Sequence, residues 1–201
     1  MVNKMVIGVL AIQGGFAEHI NMLKKHKITT VEIRKKTDLD QDFQGLIIPG
    51  GESTTITKLL HELAIYEPLA AKIKNGLPVF GTCAGLILLA KNINNQENNG
   101  LNAIDITVER NGYGRQSSSF SSMGTMKNIG KIPMVFIRAP YITKTAPNVE
   151  ILSEVEGKIV AAQEGNILVT SFHPELTDDF STHNYFLNMV EKSTQKTCKF
   201  F

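Results

Sequence analysis

The chain has no tryptophan and only four tyrosines in 201 residues, so its core must rest on aliphatic side chains and ten phenylalanines. Cysteine is scarce too. Cys83 and Cys198 lie far apart and neither belongs to a Cys-x-x-Cys pair, which leaves zinc ribbons and thioredoxin-type motifs unsupported. Neither sign of charge is in excess: 21 Lys and Arg face 19 Asp and Glu, a formal net charge of +2. A nucleic-acid footprint needs a concentrated basic patch, so no nucleic-acid partner is expected. No apolar run reaches the roughly 18 residues of a membrane-spanning helix, so no membrane partner is expected either. Residues 5–12 are apolar, but too few for a signal peptide, and they lead straight into Gln13-Gly14-Gly15. A reducing cytoplasm is the expected location for a working free thiol. Residues 49–54, Pro-Gly-Gly-Glu-Ser-Thr, lack the Gly-Lys-Ser/Thr ending of a phosphate loop, so nucleotide binding is not expected. Internal repeats and linkers are absent. Residues 1–201 therefore read as one domain, with 192–201 as a polar tail in which Cys198 is given no role.

What is present is an alternation of short apolar runs and amphipathic stretches. Residues 5–11 and 77–80 read as buried strands, 29–34 as a strand rich in β-branched residues and 45–48 as a further strand. Residues 16–26, 53–64, 67–74 and 86–90 read as helices, the second capped by Ser53 or Thr54. Strand and helix in alternation predict an α/β fold, a doubly wound, mostly parallel sheet flanked by helices. Beyond residue 101 the strands dominate: 104–110, 134–138, 149–154, 158–163 and 167–172. Antiparallel additions to the sheet are expected in this second half. Glu156-Gly157 and Glu164-Gly165-Asn166 read as hairpin turns, 92–100 and 117–122 as loops, and 180–191 as a last helix.

Chemistry concentrates at a few strand ends. In Gly81-Thr82-Cys83-Ala84-Gly85 a potential nucleophile sits between a strand and a helix, flanked by glycines that let the two approach closely. A cysteine in that turn is an intrinsically strong nucleophile, and a helix N-terminus favours an anion there. Thiols so placed serve amidases, peptidases and redox proteins alike. Ser171-Phe172-His173-Pro174-Glu175 supplies partners. Pro174 keeps His173 out of helix, and residues two apart on an extended segment face the same side, about 6.5 Å apart. His173 and Glu175 can then meet, giving nucleophile, base and orienting carboxylate. His19, His26, His61 and His183 fall in helical stretches and are expected to be solvated. The amides of the Gly50-Gly51 loop, at a helix start, could hold an oxyanion or a carboxylate. Arg110 and Arg138 end two strands and could anchor a carboxylate; Arg34 and Arg115 offer equal chemistry.

Six segments in order carry a resemblance: Gly-Val-Leu-Ala-Ile-Gln-Gly (8–14), Pro-Gly-Gly-Glu-Ser-Thr-Thr (49–55), Gly-Thr-Cys-Ala-Gly (81–85), Val-Glu-Arg-Asn-Gly-Tyr-Gly-Arg-Gln (108–116), Phe-Ile-Arg-Ala-Pro (136–140) and Ser-Phe-His-Pro-Glu-Leu (171–176). Over residues 5–190 the chain resembles the class I, triad-type glutamine amidotransferases, on a flavodoxin-like sheet. Within them it is similar to the glutaminase subunits that serve pyridoxal 5′-phosphate synthase.

The resemblance implies hydrolysis of L-glutamine to glutamate and ammonia. The ammonia is passed to a separate synthase subunit, which combines it with ribose 5-phosphate and glyceraldehyde 3-phosphate. It implies Cys83 as nucleophile with His173 and Glu175, and glutamine held by Gly51, Glu52, Ser53, Arg110, Ile137 and Arg138. It implies an oxyanion hole from the Gly51 and Ala84 amides, no metal and no cofactor. The synthase subunit is expected to dock near residues 13–19 and the glycine loop, making Gln13 and Gly50 gating candidates, with the isolated chain slow. One departure is Ser118, where the family carries an acidic residue; it touches no triad position. The histidine-biosynthesis glutaminase, a Cys-dependent peptidase on a related sheet and an inactive binding module are the alternatives. The segments 108–116 and 136–140 argue against the first, the 49–53 loop and Glu175 against the second, the intact triad against the third.

Overall fold

The computed structural model describes residues 5–110, 112 and 119–198. Four parallel strands build its first half: β1 (Val6–Leu10), β2 (Thr29–Ile33), β3 (Gly45–Ile48) and β4 (Val79–Thr82). β1, β3 and β4 are short, largely apolar and buried, while the edge strand β2 is β-branched and only partly buried, and side chains alternate between two cores as the strand period requires. Leu10, Leu46, Ile48 and Val79 enter one core, while Ile7, Val9, Ile47 and Phe80 enter the other. Helices α1 (Phe16–Lys25), α2 (Ser53–Glu62), α3 (Tyr66–Lys74) and α4 (Ala84–Leu89) connect these strands and follow the last. Ile56, Leu60, Leu69, Ile73 and Leu86 carry α2, α3 and α4 on one face. Ile20 and Leu23 of α1 cover the other, beside Phe186, Leu187 and Val190 of α5 (Ser181–Cys198). The sheet is therefore wound on both sides.

The second half adds β5 (Ala90–Ile93), β6 (Ile104–Glu109), β7 (Ser119–Met126), β8 (Gly130–Ile137), β9 (Tyr141–Thr145), β10 (Glu150–Val155), β11 (Lys158–Glu164) and β12 (Ile167–Thr170). The main sheet runs β2-β1-β3-β4-β12-β11-β9-β6-β5, with β10 on β11. β12 lies parallel to β4, β11, β9 and β6 follow antiparallel, and β5 closes the edge parallel to β6. Strands β7 and β8 form a separate hairpin, not an addition to the sheet, and bury Met126, Ile132, Met134 and Phe136 on the α1–α5 face.

Several expectations are corrected. α4 begins at Ala84, and Ala90, expected to end it, opens β5. That strand runs to Ile93, into the expected loop 92–100. Residues 119–122, expected as loop, belong to β7, and β9 was not anticipated. Glu52, not Ser53 or Thr54, is the N-cap of α2. The polar tail is helical through Cys198. Asn111, Tyr113, Arg115 and Ser118 lie outside the described residues. Among the described residues, no helix is long and apolar enough to cross a membrane.

Candidate functional site

The carboxyl ends of β1, β3, β4 and β12 converge on one pocket of about 520 Å³. In an open parallel sheet this is where ligands are held. Every site residue that the family resemblance implied lines it: Gln13, Gly50, Gly51, Glu52, Ser53, Cys83, Ala84, Arg110, Ile137, Arg138, His173 and Glu175.

Cys83 leaves β4 at φ 48 and ψ −100, a conformation that costs a side-chain-bearing residue of order 1–3 kcal/mol. Its surroundings impose the turn. The Cys83 amide donates to Thr170 O of the neighbouring strand at 2.8 Å, and Cys83 O accepts from Ile87 in the first turn of α4. The flanking glycines are steric requirements. A Cβ at Gly85 would lie 2.1 Å from Ile48 O, and one at Gly81 would lie 2.6 Å from Leu89 Cδ1. Cys83 is buried and its Sγ lies 3.9 Å from Ile137 O, at the end of β8. Ala84, the first residue of α4, offers an amide with no acceptor inside the helix.

His173 follows β12, its amide held by Val135 O at 2.8 Å. Its Nδ1–H donates to Glu175 Oε1 at 2.7 Å. The expected extended segment is absent: Pro174–Leu176 is a 3₁₀ turn, with proline in its first position, where a missing amide hydrogen costs nothing. The tight turn, not a strand period, brings Glu175 beneath the ring. Burial works against charge on His173, but hydrogen bonds to Cys83 and Glu175 outweigh it and push its pKa up to about 10. Burial likewise opposes charge on Glu175, and His19 and His173 together hold it below the usual carboxylate range.

Across the pocket, the Gly50 amide donates to Thr82 Oγ1 and Gly50 O accepts from Gly15, both close to 3 Å. Gln13 Oε1 accepts from the Glu52 amide at 2.8 Å. Arg110 donates to Glu52 and Gln96, each at 3.2 Å. A hydrogen bond from Thr54 leads the interactions that lower the Glu52 pKa, so a carboxylate and a guanidinium face the same pocket. Arg138 stands at φ 43, just past β8. Arg34, the rival arginine, is turned to Glu32 and Ala11 O, away from this group. Among the described residues no cluster of three or more His, Cys, Asp or Glu side chains is arranged to hold a metal ion.

Two histidines expected in solvent are buried at the heart of the molecule. His19 and His183 are fully inaccessible, whereas His26 and His61 are exposed and stack on Phe180 and Tyr66. His19 Nε2 lies 3.2 Å from Thr82 Oγ1 and 3.4 Å from Glu175 Oε2, and His19 Nδ1 lies 3.0 Å from His183 Nε2. A signal existed: Phe16, His19, Ile20 and Leu23, like His183, Phe186, Leu187 and Val190, fall at i, i+3, i+4 and i+7, a core-facing stripe. Glu18, Ile87 and Leu176 also line the pocket and were not singled out from sequence.

Residues 9–192 match the model of the SNO glutamine amidotransferase family. The chain is 55% identical over 190 residues to the pyridoxal 5′-phosphate synthase subunit PdxT of Haemophilus influenzae (strain PittEE), covering 93% of this chain and 99% of that one. It is 53% identical over 194 residues to the PdxT subunit of Streptococcus pneumoniae (strain CGSP14), covering 95% and 100%. A solved structure described as a glutamine amidotransferase superposes with a TM-score of 0.88 at 42% identity, covering 92% of this chain and 98% of that one.

Proposed function

The chain belongs to the SNO glutamine amidotransferase family, and from that premise we infer that it is the glutaminase subunit of a pyridoxal 5′-phosphate synthase. It hydrolyses L-glutamine and delivers ammonia to a separate synthase subunit. The observation that carries the assignment of residues is the 2.7 Å His173–Glu175 pair set against a cysteine held in a strained strand-to-helix turn. The similarity to PdxT subunits over nearly the whole chain favours this reading over the histidine-biosynthesis sibling and over a peptidase. A reducing cytoplasm suits a reaction that consumes and regenerates a free thiol.

In this reading His173 takes the Cys83 proton and Sγ attacks the side-chain amide carbon of glutamine, forming a C–S bond and an oxyanion. The amides of Gly51 and Ala84 receive that charge. His173 gives its proton to the amide nitrogen, the C–N bond breaks and ammonia leaves a thioester. Water then attacks, His173 takes its proton, and the C–S bond breaks to return glutamate and the thiol. Glu175 stays ionised throughout and holds Nδ1–H. Glu52 suits the substrate's α-ammonium, and Arg110 and Arg138 suit its α-carboxylate. Ser53 and Ile137 complete the wall.

Docking of the synthase subunit gates the reaction. The Gly50–Gly51 peptide is latched through Gly50 O to Gly15, and the next amide through Glu52 to Gln13. Any rotation of that peptide must release the latch, so a partner seated on residues 13–19 controls the oxyanion donor. One missing donor is worth about 10²-fold in rate. Ammonia release by the purified chain should therefore be slow and rise markedly with the synthase subunit. Cys83→Ala should remove turnover in both states with the fold intact. Glu175→Gln should cut kcat by orders of magnitude with a smaller effect on KM. Equal rates with and without partner would overturn the gating, and turnover by Cys83→Ala would overturn the nucleophile.

A further inference from the structure

Glu175 has two oxygens, and the mechanism uses one. Oε1 receives His173 Nδ1–H. Oε2 is buried and accepts no regular hydrogen bond among the described residues. A buried carboxylate oxygen left bare is expensive. The group facing it is His19 Nε2 at 3.4 Å, on the first turn of α1. We propose that His19 is a positioning residue for the glutaminase reaction: its Nε2–H, shared between Glu175 Oε2 and Thr82 Oγ1, clamps from behind the carboxylate that orients His173. The inference rests on the glutaminase reading above and adds to it a residue outside the pocket wall.

The tautomer follows from the partners. A carboxylate only accepts, so a lone pair on His19 Nε2 would face a negative oxygen; the hydrogen must be there. Nδ1 is then bare and accepts His183 Nε2–H across 3.0 Å. His183 Nδ1 is left as an unpartnered lone pair, which agrees with its lack of any hydrogen bond among the described residues. Protons thus point one way, from α5 through α1 to the turn after β12. Burial keeps His19 neutral, and burial with His19 as neighbour pushes His183 down to about 3, so neither imidazole competes with His173 for the proton that the chemistry uses. The groups that face this unit are His173 on the same turn as Glu175, Glu18 on α1, His183 on α5 and His26 behind it. Without His19, Glu175 would meet burial without the neighbour that does most to lower its pKa, protonate at higher pH and release its grip on His173.

The test uses the chain with its synthase subunit and measures ammonia release from glutamine across pH. His19→Leu should lower kcat at least about tenfold, the scale on which supporting partners of site residues act. KM for glutamine should change little, and the acid limb of the kcat profile should move up by about one pH unit. His19→Gln, which keeps an N–H near Nε2, should restore most of both. A merely structural role would lower the active fraction, counted by titrating Cys83 with a small glutamine-like electrophile, but leave the acid limb in place; that result overturns the proposal. So does a His19→Leu profile superposable on the parent. Should His19→Leu fail to fold, the nitrogen-15 shifts of the parent chain decide: Nε2–H on His19 supports the clamp, and Nδ1–H overturns it. A parent complex that releases no ammonia defeats the glutaminase reading itself, whereas an active parent with a silent His19 defeats only this inference.

Discussion

Gly50 has no room for a methyl group. A Cβ there would lie 2.3 Å from His173 Cε1 and 3.3 Å from Cys83 Cβ. The loop backbone is thus a wall of the site, and Gly50→Ala should push the imidazole off the thiol. A displacement near 1 Å can cost about 10²-fold in rate. We expect kcat to fall on that scale while the melting temperature barely moves, checked by ammonia release and calorimetry on the same sample. At Gly51 the obstacle differs: the added carbon would meet Gln13 Oε1 at 2.3 Å, the end of a flexible side chain that can swing away and free the Glu52 amide. At this scale the sequence was legible wherever a residue sat beside a chain punctuation. Cys83 between glycines and His173 before proline announce themselves. His19 and His183 did not, because their sequence neighbours Glu18 and Asn184 are polar while their helical neighbours are apolar.

Among the elements, α4 matters most for placement, since its first turn carries Ala84 and follows the proposed nucleophile directly. It packs so closely on β3 that Gly85→Ala would drive a carbon to 2.1 Å from the Ile48 carbonyl, backbone that cannot yield cheaply. Overpacking of this kind costs about 1–3 kcal/mol. A lower urea midpoint at unchanged slope is the expected result. The parallel half of the sheet could be read from sequence because β1, β3 and β4 are short, largely apolar runs ended by a turn and β2 is rich in β-branched residues. The second half resisted for physical reasons. Strand β5 continues out of α4 with no breaker between them, and β7, Ser-Phe-Ser-Ser-Met-Gly-Thr-Met, is half exposed and serine-rich. Its pairing with β8, rather than local preference, makes it a strand. The Pro174–Leu176 turn delivers the His173–Glu175 pair that the sequence suggested, by a different backbone route.

For the molecule as a whole, the buried titratable groups set a stability window. His183, pushed down to about 3, and His19, also lowered, sit below the ordinary value of 6.5. The unfolded chain therefore binds more protons below about pH 6.5, and stability falls as pH drops from there. Glu175, lowered from 4.5, adds its own loss below that value. His173 works in the other direction. Raised to about 10, it keeps a proton that the unfolded chain gives up above about 6.5, so its contribution is complete below that pH and drains away towards 10. The melting temperature should peak near neutral pH and decline on both sides. His183→Gln should flatten the acid decline, and a decline unchanged by that substitution would show that other groups cause it. The sheet order also has a consequence for the chain during its synthesis. Strand β12 lies at the sheet's middle, between β4 and β11, yet it is the twelfth strand to be made. The proposed nucleophile, Cys83, waits on the ribosome for a partner ninety residues later, and the parallel half meanwhile exposes the flank of β4. Until translation has passed residue 175 and β12 has inserted, the nascent chain holds a thiol with no base. It therefore cannot spend glutamine before it has folded.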